Sequence, residues 1–209
     1  QDGFLDKELL NASDIPEAQR PINQHWSWDR ILRSVFIKQA DVLQGIYLFE
    51  DHFDLDVIKD NFDFYEPKTV HESSLSPCVH AIIAAKIGKL DKAYEMYLRT
   101  ARLDLDDYNH EADEGLHITS MAGTWMSMVE GLAGVRVYED HVLVDPKIPA
   151  AWKSYSFKIR FRNNPIQVTV NQEGYVLENL GDEGITYAYK VKKIELGANQ
   201  TSNSLQLIV

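Results

Sequence analysis

The spacing of apolar residues changes once along this chain. Up to Gly134 it follows helical intervals, and beyond Gly134 it alternates. Residues 1–23 are irregular, broken by Pro16 and Pro21. Ile31, Leu32, Val35, Phe36, Val42, Leu43, Ile46 and Tyr47 then recur at the period that predicts one long helix over about 26–49. A short helix is expected over 55–62. Ser76–Pro77 reads as a helix start, a capping hydroxyl followed by a proline whose missing N–H costs nothing there. The helix it opens, 78–87, is apolar nearly all round, which predicts burial, and Gly88 stops it. Asp91 is expected to cap a helix reaching about residue 103. A last helix should start near Ile118 and carry Met121, Trp125, Met128, Val129 and Leu132 to Gly134.

After Gly134 the period is two. VRVYEDHVLVDP reads as a hairpin around Glu139–Asp140. Phe157, Ile159 and Phe161 alternate with Lys158 and Arg160; Asn163, Asn164 and Pro165 make a turn; IQVTV alternates again. YVLEN, ITYAYKVKKIEL and SLQLIV are further strand-like runs. The expected fold class is therefore mainly α followed by β, with helices over 1–134 and a small antiparallel β-sheet domain over 135–209. Pro146, Pro149, Ala150 and Ala151 lie in the linker between them.

Composition narrows the function. A length of 209 residues can bury a real core. A formal net charge of −11 argues against nucleic acid or an anionic membrane as partner. The single cysteine, Cys78, excludes an internal disulfide and fits a reducing, cytoplasmic setting. No apolar run approaches the roughly 20 residues that span a bilayer, and QDGFLDKELL has no signal-peptide pattern. The absence of an initiator Met predicts a fragment or a processed chain.

The chemistry concentrates in two runs, YEPKTVHESSLSP and GLHITSMAGTW, each leading into an apolar helix. A helix N-terminus offers unpaired N–H donors and a positive dipole end. Hydroxyls and imidazoles gathered there suit a phosphate or a sugar. In the first run Ser76 is explained as a cap; His71, Glu72, Ser73 and Ser74 exceed what a cap needs, and Glu72 could act as a base or accept from a sugar hydroxyl. In the second, His117 stands at the helix mouth, Thr119 and Ser120 follow, and Gly123 admits a close neighbour, while Trp125 is expected in the core. Lys38 and Gln39 sit among apolar neighbours in the first predicted helix, either at a surface edge or facing a polar cavity. Trp26 and Trp28 lie about 200° apart around a helix and cannot share a face. Asp104, Asp106 and Asp107 invite a metal reading, but the glycine and terminal glutamate of a calcium loop are absent, so a solvated acidic loop is expected and no metal. Phosphate-loop, dinucleotide, nucleophile-elbow and zinc spacings are all absent from the sequence.

Five strings carry a resemblance: INQHWSWDRILRS, IKQADVLQG, FDFYEPKTVHESSLSPCVH, DKAYEMYLRTARLDLDDYN and EGLHITSMAGTWMSMVEG. With them the chain resembles the phosphorylases of glycoside hydrolase family 65, most of all those acting on maltose. The match is dense over 1–155 and looser through the strands. The resemblance implies the C-terminal part of an (α/α)6 barrel followed by the β-sheet domain. It implies reversible phosphorolysis of maltose to β-glucose 1-phosphate and glucose with inversion, or of another α-glucobiose such as trehalose or kojibiose. It places the glucosyl unit on Lys38 and Gln39, and phosphate on Ser73, Ser74 and His117, with Thr119 and Gly123. It puts the general-acid glutamate upstream of this chain, so no catalytic residue is expected within it. It implies no cofactor, since phosphate is a substrate, a homodimer when complete, and the remainder of the enzyme as partner. A non-catalytic carbohydrate- or anion-binding module is the contrasting reading.

Overall fold

The structure, a computed structural model, describes residues 10–202 except 109 and 191. Helices fill the first part: α1 Ile22–His25, α2 Trp28–Arg33, α3 Asp41–Leu48, α4 Leu55–Tyr65, α5 Ser76–Lys86, α6 Leu90–Ala101, α7 Leu103–Asp106 and α8 Ile118–Met126. The long helix expected over 26–49 is broken. Ser34 ends α2 by donating its hydroxyl to the Ile31 carbonyl (2.7 Å) and accepting from the Phe36 N–H (3.3 Å). The chain then extends, and Ile37 pairs in parallel with Thr69. The Ile37 N–H donates to the Lys68 carbonyl and the Val70 N–H to the Ile37 carbonyl. β-branched Val35 and Ile37 favour that extended stretch. Lys38 and Gln39 therefore lie outside any helix, on the stretch between that pairing and α3.

The buried helix is as expected in character: Ser76 through Ala85 are all buried. Its start differs. Leu75 holds the N-cap position, and Ser76 instead bonds the His71 ring at 2.9 Å. Lys89, not Asp91, stands at the N-cap of α6, which ends at Ala101. α8 passes into a π-helical segment, Ser127–Leu132. Thr124 and Ser127 donate back to the Ser120 and Gly123 carbonyls (3.0 and 2.8 Å), bonds that loosen the regular ladder.

The β part forms two sheets, which corrects the expected single antiparallel one. β3 (Ser154–Phe161), β4 (Asn164–Asn171) and β5 (Gly174–Asn179) make an antiparallel meander. Its first turn is Arg162–Asn163, both at positive φ (47° and 70°), so Asn164 and Pro165 already belong to β4 rather than to the turn. The other sheet has the order β1 (Arg136–Val137), β2 (Val142–Val144), β6 (Ile185–Tyr189), β7 (Lys192–Leu196). β2 and β6 pair in parallel, Val142 opposite Tyr187, because the meander intervenes and the chain returns in the same direction. The run ITYAYKVKKIEL folds as a hairpin turned at Lys190 (φ 53°). SLQLIV lies outside the described residues.

One hydrophobic cluster joins helices to sheets, from Leu43, Phe62, Ile83 and Leu132 to Val142, Val168, Leu177 and Tyr187. A charged tie reinforces the junction. Glu50, after α3, accepts from Nε and Nη2 of Arg136 on β1, the latter at 3.0 Å, and from Lys86 of α5 at 3.0 Å. Burial works to raise the Glu50 carboxyl, but the Arg136 hydrogen bond and charge, with Lys86, hold it below the usual carboxylate range. Removing one partner of a buried pair leaves a charge uncompensated, at a cost of about 3–5 kcal/mol. Arg136→Met should lower unfolding stability by that order in urea titration. Glu50→Met combined with Arg136→Met should lose clearly less than the sum of the singles.

Candidate functional site

α5 and α8 pack side by side and run in the same direction. A Cβ on Gly123 would stand 2.9 Å from Cys78 Cβ, and one on Gly131 3.3 Å from the Ile82 backbone. Both helices therefore begin at the same end of the molecule, and the two runs singled out in the sequence meet there. Ser74 Oγ and Thr119 Oγ1 are 3.4 Å apart. Ser74 is half-buried and Thr119 exposed, so this mouth opens to solvent.

Around it the predicted residues divide. Ser73 Oγ accepts from the Leu75 N–H at 3.3 Å and shapes the approach to α5. His117 stands at the N-cap position of α8. Its backbone N–H donates to one oxygen of Asp104 (3.0 Å) and its Nδ1 lies 2.6 Å from the other. These two bonds hold the Asp104 carboxyl below the usual range, the ring bond first. His117 Nε2 remains 3.8 Å from Glu111, too far for a hydrogen bond. Gly123 sits away from the mouth, against Cys78 and Thr100, and its small size serves helix packing.

Glu72 points inward. It is buried and accepts from the Ile22 N–H and from the Asn23 N–H (3.3 Å), closing the N-terminus of α1. Lys38 is exposed; Gln39 donates to Asp41 at 3.2 Å. The Ile37–Thr69 pairing sets both beside the strand that leads into His71 and Glu72. Trp125 is 50 % exposed, its ring edge-on to Phe157, so the expected core position is not what the fold shows. Trp28 is exposed, while Trp26 carries the Arg30 guanidinium 3.5 Å over its ring.

Sequence reasoning missed Asp104, whose partner lies 13 residues away with no motif to announce it. The acidic run is not simply solvated. Asp106 is bidentate with Arg102 (2.8 and 2.6 Å), and Asp107 accepts from the Glu111 and Ala112 N–H groups. A cleft of about 590 Å³ is lined by Arg20, Glu72, Arg99 and Tyr108, and lies apart from the Ser74–Thr119 mouth.

Beneath the first run, Glu66, His71 and His80 bring ligand atoms within 4.8 Å of one another, close enough for a metal. Lys92 already bonds Glu66 at 3.1 Å, placing an ammonium where a cation would have to enter. The geometry is that of a packed imidazole pair, ring centroids 4.4 Å apart. Burial, with the Lys92 charge, pushes His80 down to about 3. Burial, then His80, Arg99 and Lys92, keeps His71 well below the ordinary histidine range.

Two family models match the chain: the glycosyl hydrolase family 65 central catalytic domain over residues 1–126, and the family 65 C-terminal domain over residues 135–196. Maltose phosphorylase of Bacillus subtilis is 56 % identical over 177 residues, 85 % of this chain and 23 % of that protein. Alpha,alpha-trehalose phosphorylase of Thermoanaerobacter brockii is 43 % identical over 93 % of this chain and 25 % of its own length. Kojibiose phosphorylase of Halothermothrix orenii is 34 % identical over 95 % and 26 %. A solved structure of a protein from the human microbiome superposes with a TM-score of 0.89 at 37 % identity, over 98 % of this chain and 28 % of the other. The chain thus spans about a quarter of the length of the relatives it matches.

The imidazole pair predicts an acid-sensitive fold. A histidine depressed in the folded state binds its proton mainly when unfolded, so its stabilising contribution is whole above the unfolded value near 6.5 and falls as pH drops below it. Between pH 6.5 and pH 5 His80 alone should cost about 2 kcal/mol, and His71 adds to it in the same direction. Urea midpoints at pH 7 and pH 5 measure this, and His80→Phe should reduce the difference by about 2 kcal/mol.

Proposed function

The chain belongs to glycoside hydrolase family 65, and from that premise we propose that it supplies the phosphate-binding part of an inverting disaccharide phosphorylase. The single observation that carries this reading is the meeting of Ser74 and Thr119 at 3.4 Å, which unites the two polar runs at the starts of α5 and α8. That mouth offers hydroxyls, an imidazole and two helix N-termini, all suited to an anion. Ser73, Ser74, His117 and Thr119 hold phosphate. Lys38 and Gln39 contact the glucosyl unit. Gly123 acts indirectly, by allowing the helices to approach, and Glu72 by anchoring α1.

Maltose is the substrate favoured by identity, 56 % against 43 % and 34 % for the trehalose and kojibiose enzymes. A phosphate oxygen attacks the anomeric carbon from the face opposite the leaving glucose. The glycosidic C–O bond breaks, and its oxygen takes a proton from a carboxylic acid. That acid comes from outside these 209 residues. Phosphate is already an anion, so no base is needed, and a carboxylate at the base position would repel it. Residues 1–134 form part of an (α/α)6 barrel and residues 135–209 the domain that follows it. The rest of the barrel covers exposed Leu116, Ile118, Met121 and Trp125. The complete enzyme works as a homodimer in the cytoplasm. No helix among the described residues is long and apolar enough to cross a membrane.

In the complete enzyme His117→Ala should raise the phosphate concentration at half-saturation about ten- to a hundred-fold, the value of one hydrogen bond to a charged group. Half-saturation by maltose should change little. Lys38→Ala should do the reverse. Paired saturation curves, one varying phosphate and one varying maltose, measure both. An unchanged phosphate curve for His117→Ala would remove the anion from this mouth. The 209-residue chain alone, lacking the acid, should release no glucose 1-phosphate from maltose and phosphate.

A further inference from the structure

We propose that Asp104 is a positioning residue for His117, fixing the imidazole so that Nε2 is the atom offered to phosphate. The proposal rests on the phosphate reading above. Asp104 lies on the one-turn helix α7, Leu103–Asp106, and His117 on the N-cap of α8. Nothing along the chain obliges these two to meet, yet both carboxylate oxygens are used on one residue. One takes the His117 backbone N–H at 3.0 Å and the other Nδ1 at 2.6 Å. A carboxylate only accepts, so Nδ1 must carry the proton. The two-point hold fixes ring rotation as well as tautomer, since backbone and side chain of the same residue are tied to one rigid group.

The consequence for an anion follows from the tautomer. With the proton on Nδ1, the neutral ring presents a lone pair at Nε2, which repels a fully ionised phosphate oxygen and accepts from a P–OH. Once the ring takes a second proton, Nε2–H becomes a charged donor and Asp104 carries the counter-charge. Either way the functional atom is Nε2, the ring nitrogen that makes no hydrogen bond among the described residues. Asp104 itself stays clear of the ligand, because its two oxygens are spent. Two neighbouring carboxylates are engaged elsewhere: Asp106 by Arg102, and Asp107 by backbone donors of the following turn. Glu111, 3.8 Å from Nε2, is the carboxylate a phosphate would meet beside the ring.

Two measurements on wild type and Asp104→Asn test this. The first is the tautomer, read from 15N–1H long-range correlations of histidine-labelled 209-residue chain. We expect His117 protonated on Nδ1 in the wild type, and a mixture rich in the Nε2–H form in Asp104→Asn. An Nε2–H ring in the wild type, or an unaltered ring in the variant, would overturn the proposal whatever the enzyme does. The second is the phosphate saturation curve of the complete enzyme. Asp104→Asn should shift half-saturation about ten-fold with the maltose curve unchanged, and should add nothing in a His117→Ala background. A shift that adds to that of His117→Ala would show that Asp104 supports the loop and not the imidazole, and would also overturn it. If His117→Ala itself leaves phosphate untouched, the phosphate reading falls and this proposal with it, while the spectra separately report whether Asp104 holds the ring.

Discussion

Everything at the candidate site depends on how closely α5 and α8 approach. Gly123 in α8 and Gly131 in the π-helical segment that continues it face α5: a Cβ at the first would collide with Cys78, and one at the second would crowd the Ile82 backbone. Because the two contacts step forward together along both helices, the axes run in the same direction. Two helices laid head to head place two positive dipole ends at one spot. The loops that precede them are then forced together. The same approach fixes the far end: past the π-helical segment, the Asp145 N–H donates to the Ala133 carbonyl and that of Lys147 to Leu132. Gly134, at φ +59°, allows Asp145 to lie where a Cβ would stand 2.7 Å from its carbonyl oxygen. The sheets thus brace the helix pair from behind while its front stays open.

This division of labour explains which polar residues were readable as chemistry and which were not. Burial in this region is expensive for charge, and the buried polar groups are spent on architecture. Glu72 closes α1, Ser76 bonds His71, and Ser120 donates to the Thr100 carbonyl at 2.8 Å. The half-buried and exposed ones, Ser73, Ser74, His117 and Thr119, remain at the front. A motif such as HESSLS therefore mixes two functions within six residues, and only burial separates them.

The element types were legible because their periods are strong. α4, α5, α6, α8 and the meander lie near where spacing puts them. What escaped was decided by contacts distant in sequence. Ser34 and the Ile37–Thr69 pairing break a stretch whose apolar period is helical, and with it the placement of Lys38 and Gln39. The parallel β2–β6 pair depends on where the meander is inserted, which alternation cannot express. The sequence singled out both polar runs, yet it could not reveal that Ser74 meets Thr119, or that Asp104 bonds His117.

With a net charge of −11, the phosphate reading proposed for this mouth turns on its local arrangement. Charges more than about 10 Å away are largely screened at ordinary ionic strength, so net charge governs solubility and long-range approach rather than the bound state. Within hydrogen-bonding range, donors decide. The acidic run nearest the mouth has its carboxylates turned onto donors of its own: Asp104 onto His117, Asp106 onto Arg102, Asp107 onto the next turn. Each bond sets a donor against a carboxylate oxygen, and the first fixes the His117 imidazole at the start of α8. The acidity that argued against nucleic acid or an anionic membrane at the level of composition is, at the level of side chains, part of what organises this mouth.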